Sequence, residues 1–83
     1  MLRKPVKTKR LVKTLEQLGF VASSSEAGHT IFRHVKTGLV VTLPTNLDEI
    51  PLVYLRSIEL QIGNFNIVPD EKLQRLLYSS HPS

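Results

Sequence analysis

Between Phe20 and Pro44 the chain is cut by turn residues into runs too short for anything but strands, and this segment constrains the fold most. Phe20 to Ser24 reads as a first strand, and Ser25, Glu26, Ala27 and Gly28 as a turn. Thr30 to Val35 alternates. Ile31, Arg33 and Val35 fall on one face, and Thr30, Phe32 and His34 on the other. Lys36, Thr37 and Gly38 form a tight hairpin loop, with glycine near its end. Leu39 to Leu43 is apolar and partly β-branched, a third strand that Pro44 ends. Three strands joined by short turns predict an antiparallel meander.

The flanks are helical. Thr8 suits an N-cap, and Leu11, Val12, Leu15 and Leu18 recur at helical spacing until Gly19, so a first helix is expected from about Lys9 to Leu18. Thr45 to Ile50 reads as a polar loop, with Asp48 and Glu49 capping a second helix that Pro51 opens. Leu52, Leu55, Ile58 and Ile62 are its stripe, and Gly63 and Asn64 its stop. Pro69 opens a short last helix, with Asp70 and Glu71 in its first turn and Leu73, Leu76 and Leu77 as anchors. Residues 1–7 and 79–83 are expected to be loose ends. The order is α-β-β-β-α plus a short C-terminal helix. The natural arrangement is an α+β fold, a three-stranded antiparallel sheet with helices on one face.

Eighty-three residues predict one domain, 1–83, with a small core. There are no cysteines, which fits a reducing, cytoplasmic setting and removes thiolate metal sites. No apolar run approaches the roughly 20 residues of a membrane-spanning helix, and the charges that interrupt the first helix argue against a signal peptide. No membrane partner is expected.

The net charge is +4, and its distribution is uneven. Arg3, Lys4, Lys7, Lys9, Arg10 and Lys13 crowd the first thirteen residues, where no acid stands. Lys9 and Arg10 oppose the dipole of the helix they open, which favours acids in that turn. A rule broken locally can mark a site. A positive end of this kind attracts polyanions, nucleic acid among them, although a solvated basic tail would show the same pattern.

His29 stands directly behind Gly28 at the mouth of a strand. An imidazole titrates near neutrality and can take or give a proton. RNA breaks when its 2′-hydroxyl is deprotonated and the leaving oxygen protonated, so one imidazole with cations for the phosphate supplies much of that chemistry. The plain alternative is a histidine that starts a strand and hydrogen-bonds its turn. His34, five residues on, faces the other way, so the pair does not chelate a metal from one strand. His81 lies in the tail, and neither a metal site nor a cofactor loop is expected. Phe20, Phe32, Tyr54, Phe65 and Tyr78 read as core or rim rather than as stacking platforms for bases.

Four stretches in this order and spacing, LEQLGF (15–20), GHTIF (28–32), VVTLP (40–44) and YLRSIELQIG (54–63), resemble the HicA toxins of bacterial toxin–antitoxin pairs, also called the YcfA-like family. The resemblance runs from about Thr8 to Leu77. It implies a fold similar to double-stranded RNA-binding domains and a ribosome-independent, metal-independent mRNA interferase activity. It also implies tight pairing with a HicB antitoxin that masks the site. The family uses one histidine in a Gly-Ser-His or Gly-Gly-His context, and His29 occupies that position as the expected catalytic residue. Lys7, Lys9, Arg10, Lys13, Gly28, Arg33 and Lys36 are then the candidate RNA contacts. This chain departs from the pattern in three places. Ala27 stands where a glycine is usual, Thr45 and Asn46 follow Pro44 where many members carry a second histidine, and EIPLVYL (49–55) lacks the usual glycine-threonine helix start. Two readings stand beside the enzyme: an RNA-binding module that does not cleave, and an inactive relic that acts through a protein partner.

Overall fold

The computed structural model describes residues 5–78. In chain order the elements are β1 (Val6–Lys7), α1 (Thr8–Gln17), β2 (Phe20–Glu26), β3 (His29–His34), β4 (Val40–Leu43), β5 (Glu49–Ile50), α2 (Leu52–Asn64) and α3 (Asp70–Tyr78). The meander expected between Phe20 and Pro44 is present as an antiparallel sheet of order β2-β3-β4. Phe20, Phe32, Val41 and Leu43 turn one face of it inward. Helices supply the rest of a single core: Leu11 and Leu15 from α1, Leu55, Ile58 and Ile62 from α2, and Leu73 and Leu77 from α3. This is an α+β fold like that of double-stranded RNA-binding domains. No helix among the described residues is long and apolar enough to cross a membrane.

Several expectations need correction at the edges. The chain was expected to be loose through residue 7, but Val6 pairs with Ile50 and Lys7 with Glu49 in a second, two-stranded sheet. Val6 is buried, and that burial together with the ladder holds the segment down. The same pairing makes Glu49–Ile50 a strand within the expected loop. Thr8 is not the N-cap. It is the first residue of α1, and its Oγ1 donates 2.5 Å to the Leu47 carbonyl while its N–H donates to Asp48 O at 2.9 Å. Asp48 does not cap α2. Pro51 stands at that N-cap and Asp48 pairs with Lys7 instead. The ends expected at residues 1–4 and 79–83, His81 included, lie outside the described residues.

The β2–β3 hairpin holds an irregularity that fixes its end. Phe20 pairs with His34 and Ala22 with Phe32, but Ser24, not Ser23, pairs with Ile31. Ser23 is thus an extra residue, a bulge in β2 whose Oγ donates to Ile31 O at 3.3 Å. Beyond it Ser25 meets Thr30 and Glu26 meets His29, which leaves a two-residue turn. Ala27 (φ 53°) and Gly28 (φ 82°) both take left-handed values, as a type I′ hairpin turn requires. The expected four-residue turn is therefore shorter by two, and β2 correspondingly longer.

Candidate functional site

His29 is exposed at the first position of β3. Its Nδ1 lies 3.2 Å from the carbonyl oxygen of Ala27. A carbonyl only accepts, so this contact places the proton on Nδ1 and leaves the Nε2 lone pair open to solvent. The imidazole is thereby oriented as a base with a free acceptor nitrogen.

His34 differs at every point. It is buried, with 6 % of its surface exposed. Its Nε2 lies 2.8 Å from Leu18 O and therefore carries the proton, while Nδ1 accepts from the Thr37 N–H at 3.2 Å. The Thr37 hydroxyl, 3.0 Å from the same nitrogen, also receives the Leu39 N–H. The ring meets Phe20 edge-on, with centroids 5.0 Å apart. Both nitrogens of His34 are spent on closing the end of α1 and the β3–β4 hairpin. Gly19, at φ 101°, leaves room for it: a Cβ there would stand 3.0 Å from His34 Nε2.

Around His29 the turn is packed from one side. The Asn46 N–H donates to Gly28 O at 3.1 Å, and the Asn46 side chain covers Gly28 so closely that a Cβ would lie 2.8 Å from its Cγ and Nδ2. Gly28 thus makes room for Asn46 rather than for an approaching RNA backbone. Thr30 Oγ1 bonds Thr45 Oγ1 at 2.6 Å and Ser25 Oγ at 3.2 Å, which ties the hairpin end to the loop after β4. Two residues missed in the sequence enter here. Glu26 faces His29 directly across the ladder, at the spacing of cross-strand neighbours. Asn46 overlies the turn. Counting a two-residue loop back from His29 would have found Glu26, whereas no local signal marks Asn46.

The loop after β4 also brings the basic helix start to this end. Asn46 holds Gly28, and the next two residues, Leu47 and Asp48, hold Thr8. Lys9 and Arg10 follow at once, with Lys13 a turn further along α1. Lys7 is committed elsewhere. Its ammonium lies 2.9 Å from Asp48 Oδ2 and 3.9 Å from Glu49 Oε2. The hydrogen bond and charge of Asp48, with Glu49 adding, hold Lys7 above its ordinary value, and Lys7 in turn holds the Asp48 carboxyl below the usual carboxylate range. Arg33 shares the outer sheet face with His29, while Lys36 sits in the hairpin at the opposite end of β3, apart from the histidine. No group of three His, Cys, Asp or Glu side chains among the described residues is placed to hold a metal ion.

A family model described as "HicA toxin of bacterial toxin-antitoxin" matches residues 8–63, from the start of α1 to the last turn of α2. No curated protein and no solved structure matches the chain significantly.

Proposed function

Because the chain belongs to the HicA toxin family of bacterial toxin–antitoxin systems, we propose that it is an endoribonuclease, an mRNA interferase, with His29 as its general acid/base. The observation that carries this reading is the exposed imidazole whose Nδ1–H is given to Ala27 and whose Nε2 is free. Nε2 takes the proton of an RNA 2′-hydroxyl, O2′ bonds to phosphorus, and the P–O5′ bond breaks. The departing 5′-oxygen takes up a proton, either from the imidazolium or from water. The products are a 2′,3′-cyclic phosphate and a 5′-hydroxyl end. Lys9 and Arg10 neutralise phosphates beside the cut, with Lys13 further along the strand. No step uses a cofactor.

The setting is the cytoplasm, where mRNA is met, and the antitoxin partner that family membership implies restrains the activity. One observation favours the reading without cleavage: no side chain among the described residues hydrogen-bonds His29. The experiment is incubation of the purified chain with a defined mRNA in EDTA, beside His29→Ala. Cyclic-phosphate ends from the wild type alone support the enzyme. RNA left intact by the wild type, under conditions where a known interferase cuts, sinks it. Equal RNA binding by both proteins without cleavage selects the binding module.

A further inference from the structure

Glu26 and His29 are the last Cα partners of the β2–β3 ladder, the pair that closes it before the turn. Residues paired in this way send their side chains to the same face of the sheet. Phe32, three residues on from His29, points into the core, so His29 and Glu26 stand on the outer face. Glu26 is exposed. Its carboxylate makes no ion pair and no side-chain hydrogen bond among the described residues. It does not close on His29, whose Nδ1 stays with the Ala27 carbonyl. The strand end therefore holds an unpaired acid beside the proposed catalytic imidazole.

An acid has the wrong charge to sit beside a phosphodiester, which cations such as Lys9 and Arg10 meet. A carboxylate there favours bound RNA only where it receives hydrogen bonds, so its ligand is a donor on the nucleoside. The 2′-hydroxyl has a single proton, and the mechanism above gives that proton to Nε2. The bases differ in what they offer. Guanine alone sets two N–H donors side by side on its Watson–Crick edge, N1–H and one N2–H, and the two oxygens of a carboxylate accept both. Adenine and cytosine set an amine beside a bare ring nitrogen, which repels the second oxygen. Uracil flanks its N3–H with carbonyls, which do the same. A Watson–Crick edge is open to a side chain only in an unpaired base. Ile31, the next residue of β3 on this face and 36 % exposed, gives such a base an apolar floor.

We propose that Glu26 selects the substrate by holding the Watson–Crick edge of an unpaired guanine beside the bond that His29 cuts. The inference rests on the endoribonuclease reading above and names its substrate class, single-stranded RNA with guanine at the cut.

The test uses the full chain and oligouridylates with one central guanine, inosine, adenine or cytosine. Inosine lacks only the N2 amine. Cleavage at the central nucleotide is one readout. The other is affinity for fully 2′-O-methylated copies, which have no nucleophile and stay whole. The wild type is expected to favour guanine over adenine by about tenfold or more, with inosine between them. Glu26→Gln presents one acceptor and one donor, which complements the edges of adenine and cytosine instead of that of guanine. This variant is expected to keep its melting temperature, to lose the guanine preference and to favour adenine and cytosine. Ratios between oligonucleotides on one protein cancel the stronger attraction to phosphate that follows the loss of a negative charge. A structural role for Glu26 moves stability and leaves the order of bases alone. Equal use of all four oligonucleotides by the wild type, or an unchanged guanine preference in Glu26→Gln, overturns the proposal while cleavage itself stands. If the wild type cuts none of them, the enzyme reading falls, and the affinities for the methylated copies still decide whether Glu26 reads guanine. A wild type that neither cuts nor binds them sinks both.

Discussion

His29 and His34 begin and end the same six-residue strand and face opposite sides of the sheet, one in water and one in the core. Their separation is odd, and a strand alternates its side chains. One strand thus holds an imidazole with a free acceptor nitrogen and another with both nitrogens bonded within the protein. The two should respond to substitution in opposite ways.

Replacing His29 by alanine removes the proposed proton carrier and little else. RNA cleavage is expected to fall by about 10²- to 10⁴-fold, while the melting temperature moves by no more than about 2 °C, because an exposed side chain is lost. Cleavage assays and calorimetry on one preparation check both halves. A large loss of stability with unchanged turnover would assign His29 to structure.

His34→Ala should do the reverse. It opens a cavity beside Phe20 and leaves the Leu18 carbonyl and the Thr37 N–H without partners. A cost of about 2–4 kcal/mol is expected. In a domain of this size each kcal/mol is worth about 4–8 °C in melting temperature. Turnover per folded molecule should persist, since this ring does not reach the surface.

The I′ turn makes a separate prediction. Ala27 occupies a left-handed conformation that costs an L-residue about 1–2 kcal/mol. Ala27→Asn creates the Asn-Gly pair this turn prefers and is expected to stabilise the chain by about 0.5–1 kcal/mol. Gly28→Ala should destabilise it by about 1–3 kcal/mol, because the new Cβ meets Asn46 at its Cγ and 3.2 Å from its Cβ, near the root of the side chain. Cleavage should fall as well, because the turn sets the direction of His29. Chemical denaturation of both variants decides the signs.

The pair between Lys7 and Asp48 has a defined pH window. Asp48 is held below its ordinary 3.8, so its contribution is present above that value and is lost as pH falls through the lowered one. Lys7 is held above its ordinary 10.5, so its contribution is present below that value and is lost as pH rises through the raised one. The β1–β5 tie should be intact from about pH 5 to pH 10. It should weaken with added salt, since both groups are exposed. Carboxyl titration by NMR is expected to place Asp48 below 3.8, and Asp48→Asn should return Lys7 to its ordinary range.

The meander and the helical stripes were legible because period 2 and period 3.6 leave marks over five or more residues. Leu11, Leu15, Phe32, Leu55, Ile58 and Ile62 could be placed in the core that way. Strands of two residues leave no period, so β1 and β5 were invisible; their evidence is a pairing between positions more than forty apart. Thr8 has the chemistry of a cap, and only the position of Leu47 shows where its hydroxyl goes. In the site, His29 was legible as a residue type behind a glycine. Glu26 was hidden because it reads as part of a four-residue turn rather than as the last residue of β2, and Asn46 because its partner Gly28 stands eighteen positions earlier in the chain.

That bulge also governs what the chain can lose. From Phe20 to Ala22 the numbers of paired residues add to 54, and from Ser24 to Glu26 they add to 55. Ser23 is the difference. Removing it would give an unbroken ladder with the same two-residue turn, and Glu26 and His29 would still close it. Because residues 23 to 25 are all serine, losing any one of the three gives that same chain, whereas removing a strand residue outside this run would turn half a strand over, bringing core side chains into water and surface ones into the core. In a segment that carries the proposed catalytic group, this leaves one short serine run where the length can drift.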